Sequence, residues 1–273
     1  MAPEKIILTD THCHLDFADF DQDRELVISR AREAGLERIL NPGTDLTTSR
    51  AALKLAEQND EIYAAVGVHP NSALSWNGDT GGELEELARH PKAKAIGEIG
   101  LDYYRKGAPI EVQRTVFTAQ LSLAAKMGLP VIIHNRDACE DVMGMLNGWV
   151  DELKKNNSKL VDRPGVLHSF SGNLAMAEWA VERNFFIGLT GPVTYRNADL
   201  LRQVVARVPL ENVLIETDSP FLTPHPFRGK RNEPAHVRLI AGKIGELRTI
   251  EMEVVAQAST RNAGRLFCWR EID

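Results

Sequence analysis

Short apolar runs and longer amphipathic stretches alternate along nearly the whole chain, and this alternation limits the fold more than any other feature. Ile6-Ile7-Leu8 reads as a first strand and residues 23–34 as a helix that Gly35 terminates. Strands are expected at 38–41, 63–70, 94–99, 130–134, 165–168, 185–190 and 213–218. Helices are expected at 48–58, 83–90, 110–127 (ended by Gly128) and 138–154. Eight strand-then-helix units in a row predict a parallel sheet closed into a single (β/α)8 TIM barrel, an α/β fold with its active site at the C-terminal ends of the strands. A length of 273 residues suits one such barrel, and no shift in composition divides it, so residues 1–273 are expected to form one domain. A doubly wound open sheet would gather its polar groups at one switch point. Here they recur at the ends of six strands.

Those ends carry the chemistry. Strand one delivers His12 and His14, strand three His69, strand four Glu98, strand five His134, strand six His168 and strand eight Asp218. Asp10, His12 and His14 alternate along extended backbone, so all three are expected to project to one side. A lone histidine after an apolar run more often caps a loop than binds a metal, and a lone acid there often caps the next helix. Seven such groups at equivalent places in six units point instead to a metal centre. A single catalytic zinc takes about three protein ligands plus water. Setting His69 aside, four histidines and two acids suffice for two divalent ions, with Glu98 as the carboxylate that bridges them. Two ions roughly 3.5–4 Å apart can hold the attacking water and the leaving oxygen of a displacement at phosphorus. Asp218 is the candidate for both metal contact and proton acceptance. Glu216, two residues earlier and one layer deeper, is expected to orient a ligand.

Composition bounds the setting. With 43% hydrophobic and 26% charged residues the chain can bury a sizeable core, and its net charge of −6 argues against wrapping duplex nucleic acid on a basic surface. Cys13, Cys139 and Cys268 show no paired spacing, which suits a reducing compartment, and alternation turns Cys13 away from the site. The N-terminus lacks a signal-peptide pattern and no apolar run approaches membrane-spanning length, so a cytoplasmic location is expected.

Several blocks resemble the TatD-type metal-dependent deoxyribonucleases, a TIM-barrel branch of the amidohydrolase-like enzymes. They are Thr-Asp-Thr-His-Cys-His-Leu-Asp at 9–16, Gly-Val-His-Pro at 67–70, Ala-Ile-Gly-Glu-Ile-Gly-Leu-Asp-Tyr-Tyr at 95–104 and Pro-Val-Ile-Ile-His-Asn-Arg-Asp-Ala at 130–138. Leu-His-Ser-Phe-Ser-Gly at 167–172, Ile-Glu-Thr-Asp-Ser-Pro-Phe-Leu-Thr-Pro at 215–224 and Arg-Gly-Lys-Arg-Asn-Glu-Pro at 228–234 complete the set. The resemblance covers essentially the whole chain in order. It implies His12, His14, Glu98, His134, His168 and Asp218 as metal ligands. It also implies that His69 sits in the site without being a regular ligand, a point the strand pattern leaves open. One departure is a longer stretch around 147–164, expected to alter a surface rather than the chemistry.

The expected activity is divalent-metal-dependent phosphodiester hydrolysis of DNA, single-stranded or at its ends, by a monomer. Histidine-rich sites favour zinc, manganese or cobalt, whereas the resemblance points to magnesium. Arg228, Lys230 and Arg231 follow strand eight, where barrels often bind phosphate, and Arg136 could clamp one bidentately. Tyr103 and Tyr104 are candidates for stacking on bases. Two other classes stay open. One is a hydrolase of C–N or ester bonds in small molecules or aminoacylated RNA. The other is a non-catalytic nucleic-acid-binding protein with structural ions.

Overall fold

All eight strands enter one parallel sheet in chain order, each paired with its sequence neighbour. A computed structural model describes residues 6–269. The strands are β1 (Leu8–Asp10), β2 (Leu36–Pro42), β3 (Ile62–Val66), β4 (Ala93–Asp102), β5 (Val131–Arg136), β6 (Gly165–Leu167), β7 (Phe186–Leu189) and β8 (Val213–Ile215). Between them run α1 (Arg24–Glu33), α2 (Leu46–Gln58), α3 (Thr80–Ala88), α4 (Ile110–Met127), α5 (Cys139–Lys155), α6 (Leu174–Glu182) and α7 (Asp199–Arg207). Two helices, α8 (Val237–Arg248) and α9 (Met252–Phe267), follow β8. Gly35 and Gly128 end α1 and α4 with φ of +94° and +66°, conformations that a Cβ would penalise.

The side-chain period of two builds the interior in layers. Leu40, Ala65, Ala95, Ile132, Val166, Phe186 and Leu214, one from each of β2 to β8, form a buried apolar layer. Tyr63 and the end of α9 (Leu266, Phe267, Trp269) belong to the same cluster. Burying a side chain such as Ile132 or Phe186 contributes about 1.5–3 kcal/mol, so this layer is a firm support. Two residues on from Ile132, Val166 and Leu214 come His134, His168 and Glu216. The polar groups are therefore the next layer of the same stack, at the C-terminal end of the barrel.

The seam between the first and last units closes through backbone bonds beyond the ends of β1 and β8. Thr11 N donates to Ile215 O (3.2 Å), Asp218 N to His12 O (2.8 Å) and His14 N to Ser219 O (2.8 Å). β1 begins two residues later than the apolar run suggests and β8 stops at Ile215, because the ladder there gives way to this irregular seam. The seam fixes His12, His14 and Asp218 side by side. Cys13, between the two histidines, is buried away from them in the core, as alternation requires. Among the described residues no helix is long and apolar enough to cross a membrane.

Candidate metal centre

Four donor atoms from three strand ends converge at the seam. His12 Nε2 and His14 Nε2 lie 3.2 Å apart. Glu98 Oε2 is 3.4 Å from the first and 3.8 Å from the second, and Asp218 Oδ1 is 3.8 and 3.6 Å from them. Ligands held about 2.1 Å from one ion at tetrahedral angles are separated by about 3.4 Å, so the spacing is that of a coordination shell. Two imidazole nitrogens facing each other at this distance cannot both carry a proton; in the neutral pair one donates to the other, and with both unprotonated their lone pairs face a shared cation. These residues fit a metal.

The other oxygen of Glu98 faces a second set. Oε1 is 2.7 Å from His134 Nδ1, 3.6 Å from His69 Nε2 and 3.9 Å from His168 Nε2. His168 Nε2 also lies 3.7 Å from Asp218 Oδ1, and its ring stacks on His12 at 3.4 Å. Burial alone would raise the Glu98 carboxyl, yet the imidazoles of His69, His12 and His134 hold it well below the usual range. Asp218 is held down in the same way, against burial, by His14, His168 and His12. Burial would lower His168 and His134, but carboxylate neighbours raise them to about 10 and about 9. At His69 burial outweighs the pull of Glu98 and Asp102 and takes it down to about 3. The expected ligands are all brought together, with His69 within reach of the Glu98–His134 pair.

A cavity of about 1160 Å³ opens over these groups. Arg136 lines it, its guanidinium 4.9 Å from the centre of the Tyr104 ring, which is on the wall as well. Tyr103 is committed elsewhere: its hydroxyl meets Asp141 at 2.5 Å, and burial with that carboxylate raises it to about 12. The basic loop after β8 departs from expectation. Arg231 is locked bidentately on Asp23 (2.8 and 2.7 Å) and lies over Phe20, because α1 presents Asp23 beside it. Lys230 sits over Phe227, and Arg228 packs behind Tyr195 at 4.4 Å. Tyr195 lines the cavity, whereas these three cations are not part of its wall. The 147–164 stretch is absent from the wall too, being the second half of α5 and a following turn.

With the geometry in place, comparison with known proteins is decisive. The family described as TatD related DNase matches residues 9–268. The chain belongs to the TatD-related DNase family. It is a metal-dependent hydrolase of that family. It is 43% identical over 261 residues to an uncharacterized metal-dependent hydrolase YabD of Bacillus subtilis, covering 96% of this chain and 99% of the relative. It is 37% identical over 264 residues to the 3'-5' ssDNA/RNA exonuclease TatD of Escherichia coli, covering 94% and 98%. The crystal structure of YjjV, a TatD homolog from the latter organism, superposes with a TM-score of 0.87 at 34% identity, covering 98% of this chain and all of that one.

This TatD-family centre is braced from below. Glu216, fully buried, places Oε1 2.8 Å from His168 Nδ1, a close ion-pair contact rather than an aligned hydrogen bond. It also accepts from Ser169 N at 2.5 Å and from Thr11 Oγ1 at 3.3 Å. Asp102 is a brace that sequence reasoning missed. Its Oδ2 is 3.3 Å from His134 Nε2 and 3.0 Å from Asn71 Nδ2. The signal was there in the continued alternation past Ile99, since β4 runs to Asp102. Asp10 does not join the site with His14. Its carboxylate accepts from Thr217 N (2.9 Å), Thr217 Oγ1 (2.5 Å) and His12 N (3.2 Å), and burial raises it to about 7. It ties the seam together beneath His12 and Asp218.

Proposed function

We propose that this protein is a divalent-metal-dependent phosphodiesterase that hydrolyses single-stranded DNA from its ends and uses two ions. The observation that carries the reading is the Glu98 carboxylate, whose two oxygens face two different donor sets. His12, His14, Glu98 Oε2 and Asp218 would hold one ion, and Glu98 Oε1, His134 and His168 the other. When bound there, divalent ions supply Lewis-acid activation of water and neutralise charge at the phosphate. Asp218, ionised at neutral pH, accepts the proton of the attacking water. Glu216 holds the His168 ring in place and Asp102 the His134 ring, so the donors need not reorganise. His69, neutral over the working range and accepting from Asn71 N at Nδ1 (3.1 Å), donates from Nε2 to a phosphate oxygen, and Arg136 pairs with the flanking phosphate. The likeness to the Escherichia coli relative, named as a 3'-5' ssDNA/RNA exonuclease, supports this substrate class. The histidine content favours zinc or manganese and the family resemblance magnesium.

The test is protein purified without chelator, assayed for metal content and against labelled oligonucleotides, amides and esters. Oligonucleotide cleavage that EDTA abolishes and added metal restores, with about two ions per chain, is expected. Cleavage of amides or esters with intact oligonucleotides would replace the phosphodiesterase reading by the amidohydrolase one.

A further inference from the structure

The cavity over the metal centre has two unlike halves. In barrel order, Tyr104 follows β4 and Arg136 ends β5, and they form one half of the rim. Leu200, Phe221 and Phe17, which follow β7, β8 and β1, form the opposite half. Phe17 lies flat on His14, with ring centres 4.5 Å apart and planes at 19°. Phe221 stands edge-on to both, 6.2 Å from Phe17 and 6.5 Å from His14. Phe221 is 50% exposed, Leu200 65% and Tyr104 64%. Of the eight large hydrophobic side chains exposed among the described residues, these three open onto this one cavity. Scattered exposed apolar side chains need no explanation, but convergence in one concavity marks a binding surface.

The occupant has to satisfy both halves within a short distance. Arg136 calls for an anion. The Phe17–Phe221 step calls for a flat apolar face, directly beside the His14 ring that it touches through Phe17. Free phosphate has no such face, and an acidic peptide has no planar group fixed close to its charge. A nucleotide unit has both. We propose that Phe221 and Phe17 form a base-stacking ledge, flanked by Leu200, that holds the base next to the phosphodiester being cut. This rests on the phosphodiesterase reading and adds the element that reads the base. Every base has a π-face, so the ledge tolerates all sequences. In a duplex that face is already covered by a neighbour, so the ledge favours unpaired ends.

The ledge is tested by equilibrium binding, which needs no turnover. A short oligothymidylate with phosphorothioate linkages is compared with an abasic strand of equal length and linkage chemistry. The two carry the same number of phosphates, so contacts to the backbone alone give equal affinity and equal salt dependence. Wild type is expected to prefer the base-bearing strand by about five- to 150-fold, the range of one stacked base. Phe221→Ala is expected to lose most of that preference and Phe221→Tyr to keep it. Thermal unfolding of each variant confirms that the fold is retained. Equal affinity of wild type for both strands, or a preference that survives in Phe221→Ala, overturns the ledge. Preferential binding without metal-dependent cleavage would instead uphold the ledge and sink the phosphodiesterase reading.

Discussion

Glu98 shows how much one side chain decides here. It is buried among five imidazoles and ionised, and its two oxygens divide them into two donor sets. Glu98→Gln keeps the shape but turns an N–H toward one set, so one ion should lose its anionic ligand. The expected result is a fall in bound metal from about two per chain to one or fewer, with activity falling in step and the fold retained. Two tightly bound ions with near-normal turnover in this variant would refute the bridging role. Asp218 separates two roles that share one atom. Asp218→Asn keeps an oxygen for the metal and removes the base, so kcat should drop by about 10²–10⁴-fold while metal affinity changes less. Metal loss in proportion to activity would leave Asp218 a ligand only.

At the level of elements, β7 shows how a strand position without a side chain supports the site. Phe186 fills the apolar layer, and Gly188, the next inward position, lies against Glu216, the residue just after β8. A Cβ on Gly188 would meet the Glu216 carboxylate at 2.5–2.7 Å, closer than packed atoms tolerate. Gly188→Ala should therefore push Glu216 off His168 and imitate Glu216→Gln. Both are expected to weaken metal binding by about 10–100-fold, measured by calorimetric titration of the metal-free protein. Near-normal metal affinity in Gly188→Ala would show that His168 keeps its orientation without this brace. Strand periodicity made the layer carrying His134, His168 and Glu216 legible in the sequence, as it did the order of the eight strands. It did not reveal the partners that reach a residue from distant elements. Arg231 looked available for phosphate until α1 brought Asp23 beside it. The alternation of Asp10 with His12 and His14 suggested one face until β8 supplied Thr217. The apolar half of the cavity comes from residues after three different strands, and no local pattern unites Phe17, Leu200 and Phe221.

For the whole molecule, collecting so many imidazoles and carboxylates ties stability to metal and to pH together. Without metal, His168 and His134 are protonated at neutral pH, raised to about 10 and about 9 by their carboxylate partners despite burial. A histidine raised in the folded state stabilises fully below its unfolded value of about 6.5. That stabilisation fades as pH rises through 9 to 10. Metal binding has the opposite slope, because it requires those nitrogens unprotonated and must displace their protons. The gap in Tm between metal-loaded and EDTA-treated protein should therefore widen from pH 6.5 to pH 9. Ion at about 100 times its Kd stabilises by about 2.7 kcal/mol. For a chain of this size that corresponds to a rise of about 5–10 °C. The measurement is a pair of thermal melts at each pH in matched ionic strength. A gap that stays flat or narrows with rising pH would mean that metal does not compete with the protons on His168 and His134, and would remove both from the ligand set.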